Sequence, residues 1–380
     1  MSRARTFADL ATASEESSLS NRNMIINGDM SVAQRGTSLS IVHDGTSDGY
    51  ACDRWLLQEG NHDQTEGTLA QVAVTDLAGF NNALKWTTTE PESAIAADEA
   101  FDICQKIEAQ HCQRLGYGLS SAKSATLSFY VKSSVTGTYG IGVYKPDTTT
   151  RQLTSTYTIN SADTWEKKTI TIPGDTDSSG TIADDNGSGL RITWHLGTGS
   201  NFTSANTALT WTNYADAGWA YGHAQNGVIT TDNATWFLTG VQFEIGEVAT
   251  PFQHESFADN VQKCQRYFAK SNSIGTAPAE NSEIGYTYAS VSLSGTDVRV
   301  PFVTFPVRMR AAPTVQFDEP AYPLTGGSAG QWHYGGVEQY DTPSTSIAKD
   351  NGFYCSATVA GSSTNNAHWT SGEWTADAEL

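Results

Sequence analysis

Two stretches of the sequence combine aromatic side chains with glycine, serine and asparagine, a composition typical of surfaces that bind sugars. Aromatic rings stack on the apolar C–H faces of sugars, and small polar neighbours add hydrogen bonds at a low ordering cost. The residues are Trp211, Tyr214, Trp219 and Tyr221 in the first stretch, and Trp332, His333, Tyr334 and Tyr340 in the second. Rings of the first stretch also suit packing over the open end of a sheet, which is the interpretation we prefer. We therefore favour the second stretch as an exposed recognition tip.

An acidic, glycine-rich stretch, PGDTDSSGTIADDNGSG at 173–189, is the best candidate for binding a metal. Asp175, Asp177, Asp184 and Asp185 supply oxygen ligands of the kind that calcium prefers. The spacing differs from that of an EF-hand loop, and no glutamate closes it, so we prefer a solvated loop without a metal. We predict no cofactor, with a structural calcium as the alternative.

Signatures of catalysis are sparse. The eight histidines are dispersed, no two lie four residues apart, and there is neither a P-loop nor a GxGxxG motif. The five cysteines are odd in number and lack CxxC spacing, which argues against a disulfide framework and against a zinc site. They are Cys52, Cys104, Cys112, Cys264 and Cys355. We therefore predict that the protein is not an enzyme, with a glycan depolymerase as the alternative.

Composition limits the fold and the partners. A chain of 380 residues, 38% hydrophobic and only 17% charged with 34 glycines, predicts two or three mostly β domains with many tight turns. The net charge of -19 argues against a nucleic-acid partner and against a generic anionic surface. No apolar run reaches the ~20 residues that span a bilayer, and residues 1–22 lack the apolar core of a secretory signal. We expect assembly in a reducing cytoplasm.

The strongest strand signal is at 236–245, where Val241, Phe243 and Ile245 alternate with polar residues before Pro251 stops the pairing. We predict that Asn23–Val32 is its partner strand, so that 23–255 forms one antiparallel jelly-roll β-sandwich. The ten predicted strands are 23–32, 50–57, 82–88, 101–109, 124–133, 139–145, 153–159, 165–172, 190–196 and 236–245.

A short helix and a second β domain follow the predicted sandwich. Ser256 is a good N-cap for a helix at 256–270, and this helix is too short to be stable unless it packs on something. It is either a brace between domains or part of a subunit interface, and we predict a homo-oligomer in which four apolar residues of this segment are buried. They are Phe257, Val261, Tyr267 and Phe268. Residues 256–282 are thus a helix and linker, and 283–380 a smaller distal β domain, in which Pro301 confines its strand to an edge or to a short pairing.

Four segments resemble a family of bacteriophage tail-fibre and virion appendage proteins that is common among marine and cyanobacterial phages. They are NRNMIINGDMSVAQRGTS, YACDRWLL, LTGVQFEIGEVATPFQHESFADNVQKCQRYFAKS and VPFVTFPVRMRAAPTV. The resemblance implies a virion protein that adheres to host-surface glycans as a homo-oligomer, most simply a trimer. It also implies that residues 1–22 dock on other virion proteins through Arg3, Arg5 and Phe7, whereas a plain polar tail is the alternative. A collar or capsid decoration protein is the structural alternative to an adhesin.

The segment INGDM also resembles the opening strand of carbohydrate-binding jelly rolls. In those modules an acidic residue there and another in the last strand help to hold a structural calcium, and Asp29 and Glu244 are the matching positions. We prefer the alternative in which the two carboxylates pair with Arg35 or Arg54.

Overall fold

A computed structural model describes residues 21–42, 48–61, 64–204 and 207–276, and the segments 287–289, 292–294, 297–318, 332–335, 339–341, 344–358 and 369–380. Contacts divide the chain into two compact units. The first comprises the described residues of Met1–Ser31 and Thr37–Glu255 with Leu380, and the second comprises Val32–Gly36 with those of Ser256–Glu379. The predicted docking residues Arg3, Arg5 and Phe7 lie outside the described residues.

The first unit consists of two antiparallel sheets. Its strands are β1 (Ser38–Ile41), β2 (Gly49–Tyr50), β3 (Leu56–Gly60), β4 (Glu66–Ala73), β5 (Asn82–Glu90), β6 (Ala100–Glu108), β7 (Ala125–Ser133), β8 (Gly137–Lys145), β9 (Arg151–Ile159), β10 (Glu166–Ile172), β11 (Ser188–Thr198), β12 (Thr212–Asn213) and β13 (Thr235–Ile245). The six-stranded sheet has the order β1-β4-β5-β13-β7-β10, and the seven-stranded sheet β12-β9-β8-β11-β6-β3-β2. Two single-turn helices, α1 (Ala109–Cys112) and α2 (Gly227–Thr230), lie between strands. The predicted jelly-roll β-sandwich is confirmed.

The core of this sandwich is aromatic, and its rings join the two sheets. Trp86 of β5 lies 4.7 Å from Phe101 of β6, and Phe129 of β7 lies 5.6 Å from Trp194 of β11, both measured between ring centroids. All four side chains are completely buried. Each large apolar side chain buried in this way stabilises the fold by about 1.5 to 3 kcal/mol.

The opening segment contacts β13 as predicted, but the expectation that it forms a strand is wrong. Met24 N donates to Phe243 O at 2.9 Å, and Val241 N donates to Gly28 O at 2.9 Å. A ladder does not form because Asn27 (φ 57°) and Met30 (φ 58°) adopt left-handed backbone conformations, which break an extended chain. A Cβ atom at Gly28 would lie 2.2 Å from Val241 O, so this close approach requires glycine.

The sequence patterns did not predict β1 and β4. In β4, EGTLAQVA, only Leu69 is a large side chain that is fully buried, so the alternation is weak. Gly67 occupies the other core position of this strand, where a Cβ atom would lie 2.4 Å from the Trp86 ring. The large apolar side chain that fills this part of the core is Trp86 of the neighbouring strand β5, so β4 lacks the apolar residue that would have indicated a strand in its sequence.

The second unit has its own core and two smaller antiparallel sheets. Its elements are α3 (Phe257–Gln265), β14 (Phe268–Lys270), β15 (Thr287–Ala289), β16 (Ser292–Ser294), β17 (Asp297–Thr304), β18 (Thr314–Asp318), β19 (Trp332–Gly335), β20 (Gln339–Asp341), β21 (Ser344–Lys349), β22 (Gly352–Thr358) and β23 (Trp369–Asp377). One sheet has the order β14-β23-β19-β20, with β15 and β18 also on β23, and the other has the order β16-β17-β22-β21. β17 lies between two strands rather than at an edge, and its ladder with β22 shifts register between Val300 and Val303, at Pro301.

Helix α3 begins as predicted and ends earlier. The Ser256 side chain accepts a hydrogen bond from Asp259 N, which is the predicted N-cap. The helix ends at Gln265 because Phe268–Lys270 pairs with β23 instead. In the described part of the chain, no helix has the length and apolar character needed to cross a bilayer.

Candidate functional site

A cleft of about 330 Å³ opens on the outer face of the seven-stranded sheet. Side chains on this face come from the alternate positions of each strand. Ile192 and Trp194 of β11 point into the core, whereas Arg191, Thr193 and His195 occupy the opposite face. The lining residues are Gln58, Glu59, Gly60, Ala100, Asp102, Tyr144, Arg191, Phe202, Tyr214 and Trp219.

The loop between β11 and β13 folds back over this face, as the sequence predicts, and two glycines of β8 make the space for it. A Cβ atom at Gly140 would lie 2.9 Å from His195 Cδ2 and 3.0 Å from His223 Cβ. One at Gly142 would lie 3.1 Å from His195 Nε2 and 3.4 Å from Trp219 O. The alternating glycines in YGIGVY are therefore the sequence signal for a covered sheet face.

Asp102 is the polar centre of the cleft floor. Its Oδ1 lies 2.6 Å from His195 Nδ1, its Oδ2 accepts a hydrogen bond from Trp219 Nε1 at 3.1 Å, and Arg191 Nη2 lies 3.8 Å away. Burial raises the pKa of Asp102, but the charge and hydrogen bond of His195, together with Arg191 and Trp219, outweigh it and hold the pKa below its usual value. Asp102 is therefore an ionised anchor for the loop.

His223 fixes the same loop to the edge of β8. Its Nδ1 accepts a hydrogen bond from Gly140 N at 3.0 Å, and its Nε2 lies 2.9 Å from Asn226 Oδ1. This pattern requires a proton on Nε2 and none on Nδ1, so the ring is neutral. Burial, followed by the charge of His195, lowers the pKa of His223 to about 4.

Aromatic rings form one wall of the cleft. Tyr144 lies 5.6 Å from Trp219 and 5.2 Å from Tyr214, and Tyr214 lies 6.0 Å from Trp219, between ring centroids. The Arg191 guanidinium lies 4.9 Å from the centroid of the Trp219 ring. Trp219 is only 8% exposed, whereas Tyr214 is 36% exposed, so Tyr214 offers the open ring.

The preferred interpretation of the first aromatic stretch was that its rings pack on the sandwich, and this is confirmed for Trp211 and Trp219. Trp211 Nε1 donates to Pro173 O at 2.7 Å, and its ring packs against the sandwich core. Trp219 is buried on Asp102, and Tyr221 is half-buried. Tyr214 and Trp219 nevertheless line the cleft, together with residues that the sequence did not single out. These are Gln58, Glu59, Asp102, Tyr144, Arg191 and Phe202.

The expectation that Trp332 belongs to an exposed tip is wrong. Trp332 is completely buried in the core of the second unit, where its Nε1 donates to Glu373 O at 3.0 Å and its ring meets Phe317 edge-on at 5.3 Å. The indole N–H finds a backbone acceptor, so the ring is buried without a polar cost. His333, Tyr334 and Tyr340 lie in the paired strands β19 and β20.

Three of the four predicted interface residues are buried within the chain itself. Val261 is 6% exposed, Tyr267 is completely buried and Phe268 is 5% exposed. Phe268 packs under the Arg35 guanidinium, whose carbon lies 3.8 Å from the ring centroid. Only Phe257, which is 54% exposed, remains available to a partner, so the prediction of an interface built on the other three is wrong.

Within the described chain, all the carboxylates considered for calcium except Asp184 accept hydrogen bonds from protein groups. Arg151 donates to both oxygens of Asp175, and Ser179 donates to Asp177. Glu244 accepts from Gln242 Nε2 at 2.7 Å and from both Thr250 N and Thr250 Oγ1, rather than from Arg35 or Arg54. Asp29 accepts from Ser31. Among the described residues, no group of three or more His, Cys, Asp or Glu side chains is placed to hold a metal ion.

No family model matches the sequence, and no curated protein matches it. Among solved structures, a family 4 carbohydrate-binding module is 14% identical, at a TM-score of 0.28, over 58% of this chain and 98% of that one. The family 11 carbohydrate-binding module from Clostridium thermocellum, in complex with a β-1,3-1,4-mixed-linked tetrasaccharide, is 12% identical at a TM-score of 0.28, over 57% of this chain and 99% of that one.

A third similar structure is the enzymatically active domain of tailspike protein 4 from bacteriophage CBA120. It is 11% identical at a TM-score of 0.30, over 59% of this chain and 22% of that one. Similarities of this size carry no argument about function, which therefore depends on the cleft itself.

Proposed function

We propose that the cleft on the seven-stranded sheet binds a glycan. The observation that carries the proposal is the combination of an exposed tyrosine ring with a guanidinium and an amide in one concave surface. Tyr214 offers its ring to a sugar face, with Tyr144 and Phe202 beside it. Arg191 and Gln58 line this surface, and the guanidinium and the amide nitrogen supply donors for hydroxyl groups.

Both polar groups have unused hydrogen-bonding capacity. The Gln58 Oε1 atom is buried and has no hydrogen-bond partner among the described residues. Arg191 donates through Nε to Thr193 Oγ1 at 3.1 Å, and within the described chain its terminal nitrogens make no hydrogen bond. The terminal nitrogens of Arg191 are therefore available to the hydroxyl groups of a sugar in the cleft.

We further propose that the bound glycan is not cleaved. A glycoside hydrolase needs a carboxyl group that is protonated at the working pH and so serves as the general acid. The usual reaction also needs a second carboxyl group, and among the described residues the cleft is lined by only two, Glu59 and Asp102. Asp102 fits neither role, because its pKa is lowered and both its oxygens are held by protein donors. The check is an assay for new reducing ends after incubation with polysaccharide, where any time-dependent increase would favour the depolymerase alternative.

The role of such a binding module is proposed from the sequence resemblance. We propose a virion appendage, most simply a homotrimeric tail fibre, that assembles in the host cytoplasm and adheres to host-surface polysaccharide. Immunogold labelling of particles would locate it, and light scattering would give its mass in solution. Labelling on the capsid or collar would favour the structural alternative, and a folded monomer at micromolar concentration would contradict the trimer.

The proposed docking of residues 1–22 on the virion needs a deletion that spares the sandwich. Arg114 donates to Asn21 O at 2.8 Å and to Arg22 O at 3.0 Å, so the deletion should stop at residue 20. Loss of incorporation into particles with unchanged thermal stability is the expected result. Normal incorporation of the shortened protein would refute the docking role.

Affinity electrophoresis in gels containing host envelope polysaccharide tests the cleft. Tyr214→Ala should weaken binding about fivefold, since one stacked ring contributes on the order of 1 kcal/mol. Tyr214→Phe, which keeps the ring, should bind nearly as the wild type does. Tyr354→Ala is the matched control, because Tyr354 is 44% exposed and lies in the second unit. Equal binding by Tyr214→Ala and the wild type would overturn the proposal.

A further inference from the structure

The outer face of the six-stranded sheet carries lysines and aromatic rings in alternation. Phe237 of β13 is paired with Lys85 of β5 on one side and with Lys132 of β7 on the other. Trp165 directly precedes β10 and lies beside Lys132, whose Nζ is 4.9 Å from the Trp165 ring centroid. These four residues, together with the neighbouring pair Lys167 and Tyr130, form what we call the lysine–aromatic row.

A second pair extends the row along the sheet. Lys167 of β10 is paired with Tyr130 of β7, and its Nζ lies 5.9 Å from the Tyr130 ring centroid. Around Phe237, the Nζ atom of Lys132 lies 4.6 Å from the ring centroid and that of Lys85 lies 5.4 Å from it. Ammonium groups at these distances are attracted to ring faces, so the lysine side chains lie along the rings.

The row already binds one carboxylate, which belongs to the protein. Asp76 accepts a hydrogen bond from Lys132 Nζ at 2.9 Å through one oxygen, and from Trp165 Nε1 at 2.8 Å through the other. The Asp76 side chain is 55% exposed, so this is a surface contact. It shows that a lysine and a ring of the row together bind a carboxylate at a solvent-exposed position.

Two lysines of the row remain without an anionic partner. In the described part of the chain, neither Lys85 nor Lys167 forms a salt bridge or donates a hydrogen bond from its ammonium group, whereas Lys132 is paired with Asp76. The row therefore has a local charge of +2, from three lysines and one aspartate, although the chain has a net charge of -19. At physiological ionic strength distant carboxylates are screened beyond about 8 Å, so the local lysines determine what binds.

We propose that the lysine–aromatic row is a second binding site, separate from the cleft, for an acidic polysaccharide. The ligand class is a polymer of sugar rings that carries carboxylate or sulfate groups at intervals. Its sugar faces stack on Trp165, Tyr130 and Phe237, and its anionic groups pair with Lys85 and Lys167.

The spacing of the two lysines favours an acidic polysaccharide over a nucleic acid. Lys85 and Lys167 are three strands apart, which is about 15 Å at the usual strand separation. A nucleic-acid strand places a phosphate about every 3.4 Å of helix axis, so most of its phosphates across this face would meet no cation. An acidic polysaccharide carries its anionic groups on the sugar rings themselves, so one stretch of it can stack on the aromatic residues of the row and pair with both lysines.

Binding of the full-length protein to alginate, a polyuronate, tests the proposal, with dextran as the uncharged probe and a thymidine 20-mer as the nucleic-acid probe. The double variant Lys85→Gln with Lys167→Gln should lose at least tenfold in affinity for alginate. Lys123→Gln with Lys349→Gln is the matched control, because both lysines are exposed, lie outside the row and remove the same charge. Trp165→Ala should weaken alginate binding in the same way.

Three outcomes would overturn the proposal. They are absence of alginate binding by the wild type, equal losses in the two double variants, and tighter binding of the thymidine 20-mer than of alginate. The cleft variant Tyr214→Ala should retain full alginate binding, so that failure of one site is distinguishable from failure of the other.

Discussion

The indole Nε1 of Trp219 donates a hydrogen bond to Asp102 Oδ2 at 3.1 Å, and both side chains are buried. This bond joins the loop that covers the seven-stranded sheet to strand β6. It also completes the contacts of a carboxylate whose other oxygen lies against His195. The shape of the cleft therefore depends on a polar contact between residues that are 117 positions apart in the sequence.

Replacing Trp219 with Phe should destabilise the protein by about 1 to 3 kcal/mol, because Asp102 loses a donor in a buried position. Urea unfolding followed by circular dichroism measures the change. Trp165→Phe is the matched control, since Trp165 Nε1 makes the same type of bond to Asp76, an exposed carboxylate that water solvates when the bond is lost. Equal losses of stability in the two variants would show that the buried hydrogen bond contributes no more than the exposed one.

The stability of the protein should fall as the pH drops from about 6.5 to 4. The pKa of His223 is lowered to about 4 in the folded state, so in this window the unfolded chain binds more protons than the folded one. Above pH 6.5 the neutral His223 makes its full contribution to the free energy of unfolding. By about pH 4 this free energy has fallen by an amount on the order of 3 kcal/mol.

Urea unfolding at several pH values gives the slope. His223→Gln retains an acceptor for Gly140 N and does not titrate, so its stability should depend less on pH in this window. His254→Gln, which removes a histidine outside the cleft, should keep the wild-type slope. A wild-type slope in His223→Gln would contradict the assignment.

The strands of the sandwich were predictable where apolar and polar residues alternate within a single segment of the chain. Strand β13 is the clearest example, because the alternating residues Val241, Phe243 and Ile245 all lie in the core. The segment 23–32 has apolar residues too, but the alternation of apolar and polar residues cannot show that Asn27 and Met30 adopt a left-handed backbone, which prevents a strand.

The cleft was less predictable, because its parts come from distant segments. Asp102 and His195 lie on neighbouring strands that are 93 residues apart in the sequence. Composition identified the loop with Tyr214 and Trp219, but it could not show which strands the loop covers. Composition also misplaced Trp332, since glycine-rich flanks suggest exposure, whereas Gly372 on the paired strand provides the space that the ring fills.

Replacing Trp332 with Ala should destabilise the second unit by about 3 to 5 kcal/mol, as expected when a fully buried large side chain leaves a cavity. Gly372→Ala should also destabilise it, because the added Cβ would lie 2.0 Å from Trp332 Cδ1. Near-ultraviolet circular dichroism during urea unfolding measures both. Tyr354→Ala is the exposed aromatic control and should change stability by much less. Wild-type stability in Trp332→Ala would mean that this indole is not part of the core.

Asp175→Asn should destabilise the sandwich by about 3 to 5 kcal/mol, because it leaves the buried guanidinium of Arg151 without its counter-charge. Arg151 Nε and Nη2 donate to the two Asp175 oxygens at 2.5 and 2.9 Å. Asp177→Asn makes the same change at a side chain that is 55% exposed, so it should have little effect.

The same ion pair predicts how the acidic loop responds to calcium. Both oxygens of Asp175 are occupied by Arg151, and Asp177 Oδ1 accepts from Ser179 N and Ser179 Oγ, so three of the four oxygens already have protein donors. Thermal unfolding should therefore occur at the same temperature in millimolar calcium chloride and in excess EDTA. A ligand that binds the folded state at a hundred times its Kd would stabilise it by about 2.7 kcal/mol, which is easily measured. A fall in the unfolding temperature with EDTA that disappears in Asp175→Asn would show that this aspartate binds calcium rather than serving only as the partner of Arg151.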